Sequence, residues 1–401
     1  MESKKLVLFG AGKVGRSFIG QLFSRSGYQV IFVDIDERII SALNQQKKYQ
    51  IIIKSDDGDK VIWIENVDGV LATDVESVVQ EIASADILAT AVGQHALPKI
   101  VPVIAKGLEL RFKINPTYPM DIVLAENLRD AAKIVKDQLQ QHLQKTIDLD
   151  RFVGLVETSI GKMVPIMPKR TMEKDPLLVY AEAYNTLILD KKAFKNPIPN
   201  VVGLAPKENM AAWVDRKSFI HNLGHAAAAY YGFSAYPAMT YLHEIISRPD
   251  VYKTTRATMM EAAAILMKHH PGEFTKANLT AHIDDLLRRF SNKALGDTVF
   301  RVGQDLHRKL GPEDRLVGVL RLALKYRMPY DKILYIIACA MDFKAVDALG
   351  KRNQSDDDFS AEAKLGVSHM LESVCGLSLK KYPEIHKKAQ AFYMKTKHEG
   401  Y

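Results

Sequence analysis

Short, uninterrupted apolar runs separated by helix-length segments fill the first half of the chain. "LVLF" (6–9) leads into a glycine loop, "YQVIFVD" (28–34) comes one helix later, and "DILATAV" (86–92) and "DIVLAEN" (121–127) come after further helices. Continuous β-rich runs with this punctuation predict parallel strands covered on both faces. "KVIWIEN" (60–66) reads as one more strand, open to antiparallel pairing, and some sheet extension is expected near 151–190. The texture changes near residue 200. "KNPIPNVVGLAPKEN" (195–209) holds three prolines, a glycine and three asparagines, and reads as a connection. Beyond it the apolar positions fall at helical period over 208–231, 254–269, 278–290, 313–326, 330–342, 360–375 and 384–397. No internal repeat or low-complexity tract interrupts the pattern. It predicts a nucleotide-type α/β domain over residues 1–200 and a mostly α-helical domain over 201–401.

Composition narrows the class. The 401 residues are 47% hydrophobic and 25% charged, as in soluble globular proteins. No apolar run approaches the ~18 residues of a membrane span. The start, "MESKKLVLFGAG", has too short an apolar core for a signal peptide, so a cytoplasmic protein is expected. Two distant cysteines, Cys339 and Cys375, fit a reducing compartment and exclude a disulfide scaffold or cysteine-rich zinc module. The net charge is +8, from 55 basic and 47 acidic residues. The excess is dispersed over helix faces such as "LKKYPEIHKK" (379–388), without aromatic interleaving. Neither nucleic acid nor a membrane surface is therefore an expected partner.

"LVLFGAGKVGRSFIG" places Gly10, Gly12 and Gly15 at G-x-G-x-x-G spacing, between a buried strand and a helix. Gly10 permits the tight turn, Gly12 the approach of a pyrophosphate, and Gly15 close packing of helix on strand. Ala11, Lys13 and Val14 complete the loop, whose helix N-terminus offers amide hydrogens to phosphate. The second strand ends in Asp34, 19 residues after Gly15, where a carboxylate accepts bonds from the adenosine ribose. An acid there repels a 2′-phosphate, so NAD is favoured over NADP. Asp36 reads as a helix N-cap. The N-terminal domain is thus expected to be a Rossmann-type, doubly wound sheet. Ala91, Val92 and Gly93 should border the nicotinamide ribose, and Glu126 and Asn127, ending the fifth strand, should reach the same crevice.

"RKSFIHNLGHA" (216–226) packs unusual nitrogen into an apolar stretch. At about 100° per residue, with Lys217 at 0°, His221 falls near 40°, His225 near 80° and Asn222 near 140°, on one helix face. His221 and His225 have the spacing of half a zinc site, but Asn222 stands where H-E-x-x-H needs glutamate and no third ligand is evident. An amphipathic surface helix is a second reading. The third is a carbonyl–alcohol redox site, with a desolvated lysine as base and amides or histidine holding the alkoxide.

Taken together, these residues resemble the polyol-specific long-chain dehydrogenases, the mannitol dehydrogenase family. The resemblance runs nearly end to end and includes "FGAGKVGRSFIG", "TAVGQHALPKIVPVIAKGL", "AENL", "ENMAAWVDRKSFIHNLGHA" and "RFSNKALGDTVFRVGQDLHRKL". The family's K-x4-N-x2-H helix matches Lys217, Asn222 and His225, and its fifth-strand asparagine matches Asn127. The resemblance implies Lys217 as general acid/base, Asn127 and Asn222 as oxyanion donors, and His225 as a substrate hydroxyl contact. It also implies metal-independent chemistry with NAD or NADP, so no metal is expected, and His221 is left accessory.

Two motifs depart from the family. Its V-D-R-[IV]-x-[PS] signature reads "IGKMVP" (160–165), with Gly161–Lys162 in place of an Asp–Arg pair. Its V-G-R-x-P-x-R-K-L reads "VGQDLHRKL", with Gln304 and Leu306 at the changed positions. Arg301, Arg308, Lys309 and Lys162 are candidates to hold a substrate phosphate. The early glycine loop is expected of the family branch that acts on sugar alcohol phosphates, for which mannitol 1-phosphate and fructose 6-phosphate are the natural pair. Dehydrogenation of an unphosphorylated polyol or sugar acid is the alternative. A non-catalytic dinucleotide sensor is disfavoured, because it has no need of a proton-transfer lysine.

Overall fold

The structure, a computed structural model, describes residues 3–144 and 147–399. The chain divides into two compact units, Met1–Val214 and Asp215–Tyr401. The first is built on strands β1 (Lys5–Phe9), β2 (Gln29–Asp34), β3 (Lys48–Ile53), β4 (Lys60–Glu65), β5 (Val67–Leu71), β6 (Ile87–Thr90), β7 (Met120–Leu124), β8 (Val153–Ser159), β9 (Val179–Ala181), β10 (Leu187–Asp190) and β11 (Leu204–Lys207). Eight of them form one sheet in the order β11-β10-β8-β7-β6-β1-β2-β5. From β5 to β8 every neighbour is parallel, whereas β10 runs antiparallel to β8.

The chain winds outward from β1 through β2 to β5, then returns to β6 and winds the other way. That reversal opens a crevice beyond the carboxyl ends of β1 and β6, where doubly wound sheets bind ligands. Each face of the sheet has its own core. One gathers Phe18, Phe23, Phe32 and Tyr49, the other Val78, Ile82, Val101, Leu108 and Leu139. Burial on both faces explains why the central strands read as unbroken apolar runs. The expected strand at 60–66 is β4, and it does pair antiparallel, with β3, in a separate three-stranded sheet.

Several elements differ from the pattern-based expectation. β5, "VDGVL", escapes it because aspartate and glycine interrupt the apolar run. The strand expected to reach Asn127 stops at Leu124, and Glu126 and Asn127 lie beyond it. The proline-rich connection contains β11, which bears Pro206 on the sheet edge, where a missing N–H is tolerated.

In the second unit the regular elements among the described residues are helical. The longest, Pro249–His269, packs against the helix Leu223–Ala235. The helix expected over 360–375 is two helices, Gln354–Ala363 and Val367–Ser373, broken at Gly366. The one expected from 313 starts at Val317, after a turn that holds Arg315. No helix among the described residues is long and apolar enough to cross a membrane.

Candidate active site

In the first unit the glycine loop is locked onto the neighbouring strand. Gly10 has φ +102°, and a Cβ there would come within 2.5 Å of the Ala91 carbonyl oxygen. A Cβ on Gly15 would fall 1.9 Å from the Gly10 oxygen, so helix and loop touch backbone to backbone. Gly12 has open space where its Cβ would be, and Lys13 beside it is exposed, whereas Val14 is half-buried. Asp34 accepts from Ala11 N at 2.7 Å and from Asp36 N at 3.0 Å, so the acid at the end of β2 also fixes the glycine loop. Asp36 caps the next helix by accepting from Arg38 N and Ile39 N.

Arg16, which no sequence motif singles out, braces the loop from beneath. It is buried, and its Nε donates to Ala11 O at 2.7 Å and its Nη1 to Pro176 O at 2.6 Å. Ala91 and Val92 come directly after β6. Glu126 is buried, and its two oxygens accept from Val92 N (3.0 Å) and Gly93 N (2.8 Å). Burial raises its pKa against those hydrogen bonds. Glu126 therefore shapes the loop instead of reaching outward, and Asn127, next in sequence, is exposed. Lys162 is 7% exposed, its Nζ donating to Asn185 Oδ1 at 2.9 Å and lying 5.2 Å from the Phe18 ring.

In the second unit the nitrogen-rich stretch departs from an ideal helix. Lys217–Asn222 winds as a π-helix, continued as an α-helix by Leu223–Ala235. Leu223 N donates to Ser218 O, a five-residue step. Such winding turns less per residue than an α-helix and stacks residue i+5 above residue i. Asn222 is thereby drawn over Lys217, closer than the 140° separation of an α-helical wheel. The π-turn carries Lys217 and Asn222, and the α-helix that continues it carries His225, so three of the four proposed catalytic side chains fall within nine residues.

Their electrostatics differ. Burial, reinforced by the nearby Arg315 charge and opposed by Asp314, lowers the Lys217 pKa to about 8. Burial pushes His221 and His225 well below their ordinary value, so both rings are neutral. His225 stacks on Phe290 with ring centroids 4.0 Å apart, and its Nε2 is enclosed without a hydrogen-bond partner among the described residues. His221 meets His225 edge-on at 5.3 Å and is buried. On the preceding turn, Asp215 accepts from His270 Nε2 at 2.9 Å, and His269 Nδ1 lies 2.9 Å from Tyr326 OH. That network ties the start of the nitrogen-rich helix to the end of Pro249–His269.

The candidate phosphate ligands separate. Lys162 belongs to the first unit, and Arg301, Arg308 and Lys309 to the second. Arg301 pairs with Asp297, and Arg308 with Asp305 and Asp314. Lys309 is 6% exposed, and its amine donates to Val302 O at 2.7 Å. Burial, with Arg315 and Arg308 adding to it, lowers its pKa to about 7. Arg315 is a basic residue of this region absent from the sequence-based candidates. "GPEDRL" reads as an ordinary polar turn, and only tertiary packing shows that the guanidinium is enclosed.

The chain matches the family model of the mannitol dehydrogenase Rossmann domain over residues 4–203. It matches that of the mannitol dehydrogenase C-terminal domain over residues 209–389. Among solved structures it is similar to the Pseudomonas fluorescens mannitol 2-dehydrogenase ternary complex with NAD and D-mannitol. The TM-score is 0.75 at 17% identity, covering 99% of this chain and 92% of the other. It is also similar to a D-sorbitol dehydrogenase in substrate-free form, with a TM-score of 0.81 at 16% identity and coverages of 98% and 93%. With both family models matched across its two halves, the chain belongs to the mannitol dehydrogenase family.

Proposed function

We propose that the chain is an NAD-dependent polyol phosphate dehydrogenase that interconverts mannitol 1-phosphate and fructose 6-phosphate, the mannitol-1-phosphate 5-dehydrogenase reaction. The observation that carries the reading is the helical stretch 217–225, along which a desolvated lysine, an amide and a neutral imidazole follow one another in a member of this family. Gly12, open to a pyrophosphate, and Asp34, set to accept from ribose hydroxyls and to repel a 2′-phosphate, fit NAD. When bound, NAD supplies the hydride acceptor.

In the oxidative direction the neutral Lys217 amine takes the proton of the substrate's secondary hydroxyl. The amides of Asn127 and Asn222 donate to the oxygen as negative charge develops. His225, held neutral and stacked on Phe290, offers Nε2 to a substrate hydroxyl. In the reductive direction the protonated amine returns the proton. Basic groups at Arg301, Arg308, Lys309 and Lys162 support a phosphorylated substrate.

A second reading, an unphosphorylated polyol or a sugar acid, draws on the carboxylate partners that Arg301 and Arg308 already have and on the burial of Lys162 among side-chain amides. The deciding experiment offers NAD at alkaline pH with mannitol 1-phosphate, mannitol and altronate separately, and repeats the best with NADP. Reduction of NAD most efficiently by mannitol 1-phosphate is expected. A preference for mannitol or altronate selects the second reading, and NAD binding without reduction by any of them defeats both.

A further inference from the structure

Arg315 stands just before the helix Val317–Tyr326 and is 9% exposed. Its Nε donates to Asp314 Oδ1 at 2.8 Å. Among the described residues its Nη1 and Nη2 amines have no hydrogen-bond partner. No Arg315 atom is among the solvent-inaccessible, unpartnered ones, so the remaining exposure of this mostly buried side chain leaves its forked end open, where an arriving oxyanion can complete it. The same helix is seated on the catalytic turn, because a Cβ on Gly318 would come within 2.9 Å of Phe219 Cε1, two residues from Lys217.

The neighbouring carboxylates are each engaged. Asp314 holds Arg315 at Nε and is shared with Arg308 at 3.3 Å, Asp305 is paired with Arg308, and Asp297 with Arg301. Asp356 accepts from the backbone N–H groups of Asp305 and Leu306. The charge of Arg315 is also felt by Lys217, His225 and Lys309, whose pKa values it helps to lower. A planar fork fixed by one carboxylate at Nε, with both outer amines open, is the arrangement that receives a tetrahedral oxyanion through two parallel N–H···O bonds.

We infer that the Nη end of Arg315 is the anchor for the substrate's phosphate, and that Asp314 aims it. This rests on the phosphorylated-substrate reading above and names the residue that would enforce it. Arg315 is ion-paired through Nε alone, whereas Arg301 and Arg308 each engage an Nη amine, so neither offers an equivalent fork.

The experiment measures steady-state kinetics of the full chain with NAD and mannitol 1-phosphate, mannitol or altronate. Arg315→Gln should raise the KM for mannitol 1-phosphate by roughly 100-fold while the KM for NAD moves less than about twofold. Arg315→Lys, which keeps the charge and loses the fork, should raise it by about tenfold. Inorganic phosphate should compete with mannitol 1-phosphate on the wild type and lose most of that competition in Arg315→Gln. Arg288→Gln, on an exposed helix face, serves as the charge-removal control and should shift neither KM.

A wild type active on mannitol 1-phosphate whose KM is unmoved in both Arg315 variants overturns the inference and leaves the proposed reaction standing. A wild type inactive on that substrate overturns the reaction itself. If Arg315→Gln moves only the altronate KM, the fork reads a carboxylate and the phosphate assignment fails. Should Arg315→Gln fail to fold, Arg315→Lys and phosphate competition on the wild type decide, and absence of both effects rejects the anchor.

Discussion

In the proposed reaction Lys217 is the proton-transfer group because it is enclosed. An amine with a pKa of about 8 is substantially neutral at mildly alkaline pH, whereas an ordinary lysine is not. For polyol oxidation the neutral form is the base. The rate under kcat/KM conditions should therefore fall tenfold per pH unit below about 8 and level off above it. Carbonyl reduction needs the ammonium and should fall on the alkaline side of the same value. A pH–rate profile in both directions checks this, and an oxidation profile flat from pH 6 to 9 would remove Lys217 from the role. Lys217→Ala should lower kcat by about 100-fold or more with NAD affinity, measured by fluorescence titration, near wild type. These residues are legible in the sequence because local spacing carries them: Gly10, Gly12, Gly15, Asp34, Lys217, Asn222 and His225 each sit in a short motif. Arg16 and Arg315 are not, since what distinguishes them is burial by segments far along the chain. The inward role of Glu126 is hidden for the same reason, as its bonds to Val92 and Gly93 N–H groups exist only once β6 and β7 are side by side.

Among the elements, periodicity locates the central strands and most of the helices, and it fails where backbone geometry departs from the standard repeats. A 100° wheel cannot anticipate the π-winding of Lys217–Asn222, because that winding is fixed by how the helix packs. Edge strands β5 and β11 escape the pattern because glycine, aspartate and proline are tolerated there. The turn that carries Arg308 and Lys309 depends on one carboxylate. Asp356 is buried and accepts from Asp305 N at 2.9 and 3.0 Å and from Leu306 N at 2.8 Å, while Asp305 itself has φ +73°. Asp356→Ala should destabilise the protein by about 2–3 kcal/mol, since two buried N–H groups lose their acceptor. Chemical denaturation tests this, and an unchanged midpoint would show that the turn is held by other contacts.

At the scale of the whole molecule, buried amines make stability depend on pH. Lys309 has a folded pKa of about 7 and an unfolded one of about 10.4. Between those values the unfolded chain holds a proton that the folded chain has released. Stability from this group therefore rises with pH through the window and is lost as pH falls through it. Lys217 acts with the same sign from about 8 upward. Urea midpoints of wild type and Lys309→Met at pH 7, 8 and 9 should converge as pH rises, and parallel curves would contradict the assignment. The change from strand-and-helix texture to helical texture is visible at this scale from hydrophobic pattern alone. The position of the split is less so, because β11 and the first turn of the helix leading to Lys217 fall between the two textures.

The π-turn also bears on how this stretch tolerates a change in chain length. A helix with a five-residue step is, in effect, an α-helix carrying one surplus residue, with regular winding resuming at Leu223. With Ser218 deleted and the turn closed as an uninterrupted α-helix, Lys217 would stand four residues before Asn222 and seven before His225, about 40° and about 20° away on the same face. The surplus residue is thus slack in the winding, where a one-residue deletion is absorbed. The same deletion at Gly224, in regular α-helix, would swing Lys217 and Asn222 by about 100° against His225.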